Sequence, residues 1–431
     1  MSSDTVFVYV KTSGDDGGAL AGRLDFADGN IDFRYAKSWI EGAHSFAFHP
    51  DLLPLGTSVY SAKTMEGALS IFKDAGPGVW GREVIKRLHG QIGLADSLVL
   101  SNNLLRIGVF RYSKERGKLF ESSSVSDMEI NEIYAAISAM ENHEYLNESQ
   151  SRLLDQGSSM DGMRPKAFVD MDGASWILKF PSKNDYDNKS VNEMIGMELA
   201  RACGIETPEV KLVALNHGKQ GLAVKRFDLD DKKYRPLMSV ASAMGFAADE
   251  TFKLDYRYVA QTISRMSGKF QADRISLFKR MALNVMISNR DDHAFNQAMI
   301  MEDGRWQLSP VYDVVCGEGN KRDHSMVIGD LGAVGSLSNV LSSSASFGLD
   351  TSEAKNIIDD MIDLITLRWR QIATEKNVSD LDINQIEWAI LHDDIFRGYD
   401  RRQQDKLPGS CEKPRTFRKM LDKSSSRPRL K

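Results

Sequence analysis

The chain has 431 residues, of which 42% are hydrophobic and 27% charged, with a net charge of −5. These are the proportions of an ordinary globular protein large enough for two or three domains. It holds no run of eighteen apolar residues, so no membrane span is expected, and Cys203, Cys316 and Cys411 are too few and too scattered for a disulfide framework or a thiolate metal cluster.

The first hundred residues read as β-rich. V-F-V-Y-V from Val6 alternates as a strand does, G-R-L-D-F and I-D-F-R-Y follow closely, and Gly and Asp cluster between them as turns. After the breaker at Gly76 to Gly78 a helix is expected over Trp80 to Leu88. A strand pair is expected next, at S-L-V-L-S (97–101) and R-I-G-V-F-R-Y (106–112). Residues 113–157 are polar and partly helical, with I-N-E-I-Y-A-A-I-S-A-M at helical period, and read as a connection. A mixed unit opens at Ser158 with strands K-A-F-V-D-M and W-I-L-K-F. A helix from Val191 to Cys203 and strands V-K-L-V-A and G-L-A-V-K-R-F complete it.

From about residue 250 the pattern turns helical. Ile275, Phe278, Met281, Ala282, Val285 and Met286 make one apolar stripe. Asp350 and Glu353 have capping-box spacing ahead of a long helix through Ile372, with its stripe at Ile357, Ile358, Met361, Ile362, Ile365 and Trp369. A β-rich half before a helical half predicts an α+β, two-lobed protein. The end is different in kind. Residues 401–431 carry eleven Lys or Arg against three acids, about +8, which leaves the preceding residues at about −13. K-S-S-S-R-P-R-L-K reads as a disordered, solvated tail, with contact to nucleic acid or an acidic partner as the alternative. The start, M-S-S-D-T, lacks the basic and apolar regions of a secretory signal, and cytoplasmic residence is the expectation.

The stretch from Asn284 to Asp313 carries the chemistry. Asp291 and Asn296 stand in D-x-x-x-x-N spacing, a D-G hairpin turn follows at Asp303, and Asp313 closes the stretch. Phosphoryl transfer from ATP needs this acid–amide–acid set: one carboxylate accepts the proton of the attacking hydroxyl, and an amide oxygen with a second carboxylate holds Mg2+. The helix should end at Ile287, so that Asp291 leaves it on a loop, and the hairpin could return Asp313 to the neighbourhood of Asn296. Asp313 lies in an apolar context, where a charge calls for a paired cation. His293 has no further His or Cys nearby for zinc and is expected to hydrogen-bond and fix the loop. Lys179 sits inside a strand, with Glu193 near the start of the next helix, the pair that kinases use to orient phosphates. The segment Ser158 to Lys166 is a candidate phosphate-covering loop, where Gly162 permits close backbone approach and Lys166 or Arg164 adds charge. It matches neither G-x-x-x-x-G-K-[ST] nor G-x-G-x-x-G. The bland alternatives are capping roles for the acids, a snorkelling strand lysine and an ordinary turn.

Taken together, F-K-D-A-G-P-G-V-W-G-R-E-V-I, S-M-D-G-M-R-P-K-A, I-L-K-F-P, N-R-D-D-H-A-F-N and L-S-P-V-Y-D resemble segments of the HipA family of bacterial serine/threonine kinases. Those kinases are the toxins of HipA–HipB toxin–antitoxin pairs, and the resemblance runs over roughly residues 5–395. It implies a protein-kinase-like fold whose β-rich N-lobe carries an extra N-terminal subdomain. The boundaries would be 1–112 for that subdomain, 113–157 for the connection, 158–236 for the ATP-binding part, 237–398 for a mainly helical C-lobe and 399–431 for the tail. It further implies Asp291 as catalytic base, Asn296 and Asp313 as magnesium ligands and Lys179 as the phosphate-binding lysine. A hinge at Lys225 to Asp228 would meet adenine with Phe227 as a wall, and Ser159 or its neighbour Ser158 would be autophosphorylated. The implied cofactors are ATP and Mg2+. The implied partners are a protein substrate such as glutamyl-tRNA synthetase and a HipB-like antitoxin, with DNA reached only through that partner or the tail. Two alternatives stand beside this reading: an antitoxin-binding, transcription-regulatory protein of weak catalysis, and a small-molecule phosphotransferase. The sequence departs from the family where its base loop begins S-N-R in place of G-N-T.

Overall fold

The computed structural model describes residues 4–13, 17–27, 29–103, 105–119, 130–155, 157–160, 162–246, 254–317 and 323–402. The chain divides into two units, Met1–Tyr399 and Asp400–Lys431, and most of the basic tail lies outside the described residues. Five antiparallel strands form the first sheet: β1 (Asp4–Val10), β2 (Ala19–Ala27), β3 (Asn30–Tyr35), β4 (Val59–Ala62) and β5 (Phe110–Ser113), in the order β4-β3-β2-β1-β5. Alternation along β1 buries Val6, Val8 and Val10 in one core with Leu24 and Phe33. The helix expected after the Gly-Pro-Gly breaker is present at Val79–His89. The strand expected at 97–101 is not, because S-L-V-L-S lies in and just beyond the helix Leu94–Leu100. A five-residue apolar run carries no period of its own, and of the expected pair only β5 forms, on the free side of β1.

A second antiparallel sheet contains β6 (Lys166–Met171), β7 (Ala174–Lys179), β8 (Val210–Ala214) and β9 (Gln220–Lys225), in the order β6-β7-β9-β8. Trp176 and Leu178 of β7 point to one face, which is covered by Ile133 and Ile137 of the helix Ile130–Glu141 and by Leu153 and Leu154 of the helix Glu148–Asp155. Residues 130–155 therefore form a packed layer on this sheet. Strand alternation sends Lys179 to the other face, toward the helix Lys189–Ala202.

A short ribbon, β10 (Leu229–Asp230) with β11 (Lys233–Tyr234), leads to β12 (Leu237–Ser239), which pairs with the hairpin β13 (Ala298–Glu302) and β14 (Arg305–Leu308). Asp303 and Gly304 turn that hairpin with φ of 48° and 73°, the two left-handed positions that a D-G turn supplies. Helices Tyr256–Met266, Phe270–Met286 and Thr351–Glu375 make the body of the C-terminal half. The capping box at Asp350 and Glu353 is formed, with reciprocal backbone bonds of 2.8 and 3.0 Å. The long helix buries Ile358, Met361, Ile362 and Ile365. The stripe on Phe270–Met286 is buried except at Ile275, which stays at the surface. Among the described residues no helix is long and apolar enough to cross a membrane.

Candidate active site

Lys179, at the end of β7, extends its ammonium between two carboxylates. Its Nζ lies 2.6 Å from Glu193 Oε1 and 2.5 Å from Asp313 Oδ1. Glu193 is on the buried side of the helix Lys189–Ala202, which starts at the Asn188 cap, where the Asn188 side chain accepts from Val191 N. Asp313 follows β14 and adopts φ +60°, a strained value for a non-glycine residue of the kind that gathers at functional sites. Gly196 lets the two segments touch, because a Cβ there would lie 2.1 Å from the Val314 carbonyl. Burial opposes ionisation of Asp313, but the Lys179 ammonium overrides it and holds the carboxyl down near about 2. For Glu193 burial wins: its pKa is raised, with Asp313 adding to the rise and Lys179 opposing it. Lys179 is raised, as both carboxylates outweigh its burial.

Asp291 is exposed on the loop that leaves the helix Phe270–Met286, after Ser288 has turned the chain at φ +54°. The loop is held from beneath by its neighbour. Asp292 is buried, accepts the Tyr256 hydroxyl and accepts from Gln297 Nε2 at 3.1 Å. Gln297 is fixed in turn by Arg280 at 2.8 Å, and Asn284 donates to the Tyr256 oxygen at 3.2 Å. Asp292 thus shares with His293 the role of fixing the loop. The His293 Nδ1 is buried without a hydrogen-bond partner, while its carbonyl accepts from Asn296 N at 2.8 Å and its ring meets Phe295 edge-on. Asp292 has no signal of its own in the sequence beyond the D-D doublet, and its partner Tyr256 lies thirty-six residues away.

Asn296 is 8% exposed, with Gln297 between it and the start of β13. The hairpin brings its strand back beside that of Asp313: Ser309 N bonds Ala298 O at 2.8 Å, and Tyr312 Oη donates to Phe295 O at 2.7 Å. The residues next to Asn296 and Asp313 are tied directly. Gly317 N then bonds Ile287 O at 3.0 Å, which joins the far side of Asp313 to the base of the Asp291 loop.

The segment from Ser158 lies over β6. Gly162 has φ +109°, and a Cβ there would meet Lys166 Nζ at 2.1 Å, so glycine leaves room for that ammonium. Lys166 pairs with Lys179 across β6 and β7, and its charge acts on both Glu193 and Asp313. Ser158 and Ser159 are both buried. Ser158 Oγ donates to Asp155 Oδ1 at 2.9 Å and accepts from Asn102 N at 3.0 Å, whereas Ser159 Oγ has no partner.

The segment Lys225 to Asp228 leaves the end of β9. Phe227 stacks on Tyr312 with centroids 5.9 Å apart, which puts it beside the Asp313 segment. Lys225 is exposed and reaches toward Glu209 at 3.9 Å. Asp228 is buried. Both of its oxygens are spent on Arg226, at 3.0 and 2.6 Å, and on Gly108 N at 2.7 Å. It serves as a buried clasp between this segment and the N-terminal subdomain.

Among the described residues no cluster of three or more His, Cys, Asp or Glu could hold a metal. One carboxylate and one amide, Asp313 and Asn296, suit magnesium, which needs few protein ligands when phosphates supply the others. Residues 158–369 match the HipA-like C-terminal domain family. That segment of the chain is thus a HipA-like C-terminal domain. Over 157 residues, 33% of its length, the chain is 32% identical to "Putative kinase Y4dM" of Sinorhizobium fredii, covering 37% of that protein. Over 184 residues, 37% of the chain, it is 27% identical to a "Putative kinase" of Haemophilus influenzae, covering 53% of it. The matches thus span about a third and a half of these relatives. In fold, the chain aligns with a chain of the Shewanella oneidensis toxin–antitoxin complex of HipA, HipB and its operator DNA. The TM-score is 0.66 at 17% identity, over 89% of this chain and 94% of that one. The two-lobed, kinase-like α+β fold follows.

Proposed function

We propose that this chain is an ATP- and magnesium-dependent serine/threonine protein kinase of the HipA toxin type. The observation that carries the reading is the Lys179 ammonium held between Glu193 and Asp313, with Tyr312, next to Asp313, bonded to the Phe295 carbonyl of the Asp291–Asn296 loop. In this reading Lys179 binds the phosphates of ATP and Glu193 orients it. Asp291 is the base that takes the proton of a substrate hydroxyl. Asn296 and Asp313 hold the magnesium ion, which when bound neutralises charge on the phosphates. Phe227 packs beside the adenine.

The substrate in this reading is a cellular protein, with an aminoacyl-tRNA synthetase as the first candidate. A HipB-like antitoxin is the proposed partner, supported by the assembly of the Shewanella oneidensis HipA with HipB and operator DNA. Ser159 or Ser158 is the proposed autophosphorylation site. Both hydroxyls are buried, so the loop must leave its docked position before either receives a phosphoryl group. The kinase reading is tested by thermal melting. ATP with magnesium should raise the melting temperature of the wild type, and Asp313→Ala should lose most of that shift. An equal shift in both proteins would remove Asp313 from the site.

A further inference from the structure

We infer that the cleft between the helices Val79–His89 and Glu148–Asp155 is a regulatory site for a small organic anion with an apolar body, and that its occupancy keeps Ser158–Met160 and Gly162 docked. The cleft encloses about 780 Å³, within the range of small-molecule sites. Its lining suits that ligand class. Leu88 and Leu146, both half-buried, offer apolar surface, while Arg87, His89 and Arg152 stand at its edge, Arg87 with one guanidinium nitrogen already donating to the Glu144 carbonyl. Two carboxylates are also present. Glu148 is exposed at the start of its helix, and Asp155 is already committed, accepting from Ser158 Oγ at 2.9 Å and Asn102 Nδ2 at 3.4 Å.

The second observation is where the two walls lead. The helix Val79–His89 starts at the loop: Gly78 N bonds Met160 O at 3.0 Å and Trp80 N bonds Gly162 O at 3.1 Å. Gly81 lies so close that a Cβ would approach the Ser158 carbonyl to 2.4 Å. The helix Glu148–Asp155 ends on the loop through Asp155 and Ser158. Both walls of the cleft are therefore the supports of the loop. A ligand that bridges them binds the docked arrangement and stabilises it by its preference for that state. The site itself does not depend on the phosphotransfer reading; only the consequence for autophosphorylation does.

Phenyl phosphate titrated into the full chain tests this, with benzyl alcohol and benzylamine as neutral and cationic comparators. Phenyl phosphate should bind with a Kd of about 1 mM or tighter, and slow amide exchange over residues 157–162 several-fold. Arg87→Gln and Arg152→Gln should each weaken binding about tenfold. So should Tyr145→Glu, at a cleft residue that is 88% exposed and so carries little risk to folding. Lys179→Gln should leave binding unchanged. The inference is overturned by an absence of binding, by equal binding of the three probes, or by binding indifferent to all three cleft variants. Loss of binding in Lys179→Gln alone would put the phosphate in the active cleft, and binding without any change in exchange over the loop would remove the regulatory role.

Discussion

Lys179 Nζ lies 2.5 Å from Asp313 Oδ1 while also 2.6 Å from Glu193 Oε1, so one ammonium joins carboxylates that come from both lobes. Glu193 is only 5% exposed, and removing its cation strands it. Lys179→Met is expected to lower the unfolding free energy by about 3 kcal/mol, as for other buried pairs broken on one side. Adding Glu193→Gln should recover part of that loss, because the stranded charge is gone. Denaturant melts of the single and double variants measure both, and a double variant as unstable as the sum of its parts would contradict the coupling.

The network beneath the Asp291 loop gives a second expectation. Tyr256→Phe removes the hydroxyl that donates to Asp292 and accepts from Asn284, leaving two buried polar groups short of a partner. The cost should be about 1–3 kcal/mol. Hydrogen exchange over residues 289–297 should rise with it. Unchanged stability and exchange would mean that the loop is held by other contacts.

Acid sensitivity should trace in part to His324. Burial first, and then the Arg290 charge, lower its pKa to about 4 from an ordinary value of 6.5. The unfolded chain therefore carries more protons at this residue between about pH 4 and 6.5, and stability falls as pH drops through that window. Its full extent is about 3 kcal/mol. His324→Gln should show a flatter melting-temperature profile over the same range. A parallel profile would show that His324 does not drive the slope.

Much of this architecture is legible from periodicity and punctuation. The alternation at Val6 to Val10, the D-G turn at Asp303 and the Asp350–Glu353 box are local signals that tertiary packing has no reason to override. The segment 97–101 misleads because a short apolar run suits a strand or a helix equally. In the site, the Lys179–Glu193 pair can be anticipated from a lysine inside a strand followed by a helix glutamate, and a cation beside Asp313 from its apolar setting, but not that one lysine serves both acids. The roles of Asp292, Tyr256 and Gln297 cannot, since their contacts join distant segments and their residue types are ordinary. Asp228 misleads for a related reason. An acid beside a hinge looks available, until the fold closes Arg226 and Gly108 around it.

The central claim is that Asp291, Asn296, Asp313 and Lys179 act together in phosphoryl transfer. Incubation of the wild type and of Asp291→Ala with labelled ATP and magnesium, followed by mapping of the label, tests it most directly. The account predicts label on Ser159 or Ser158 in the wild type and none in the variant. Equal labelling of both proteins would contradict it.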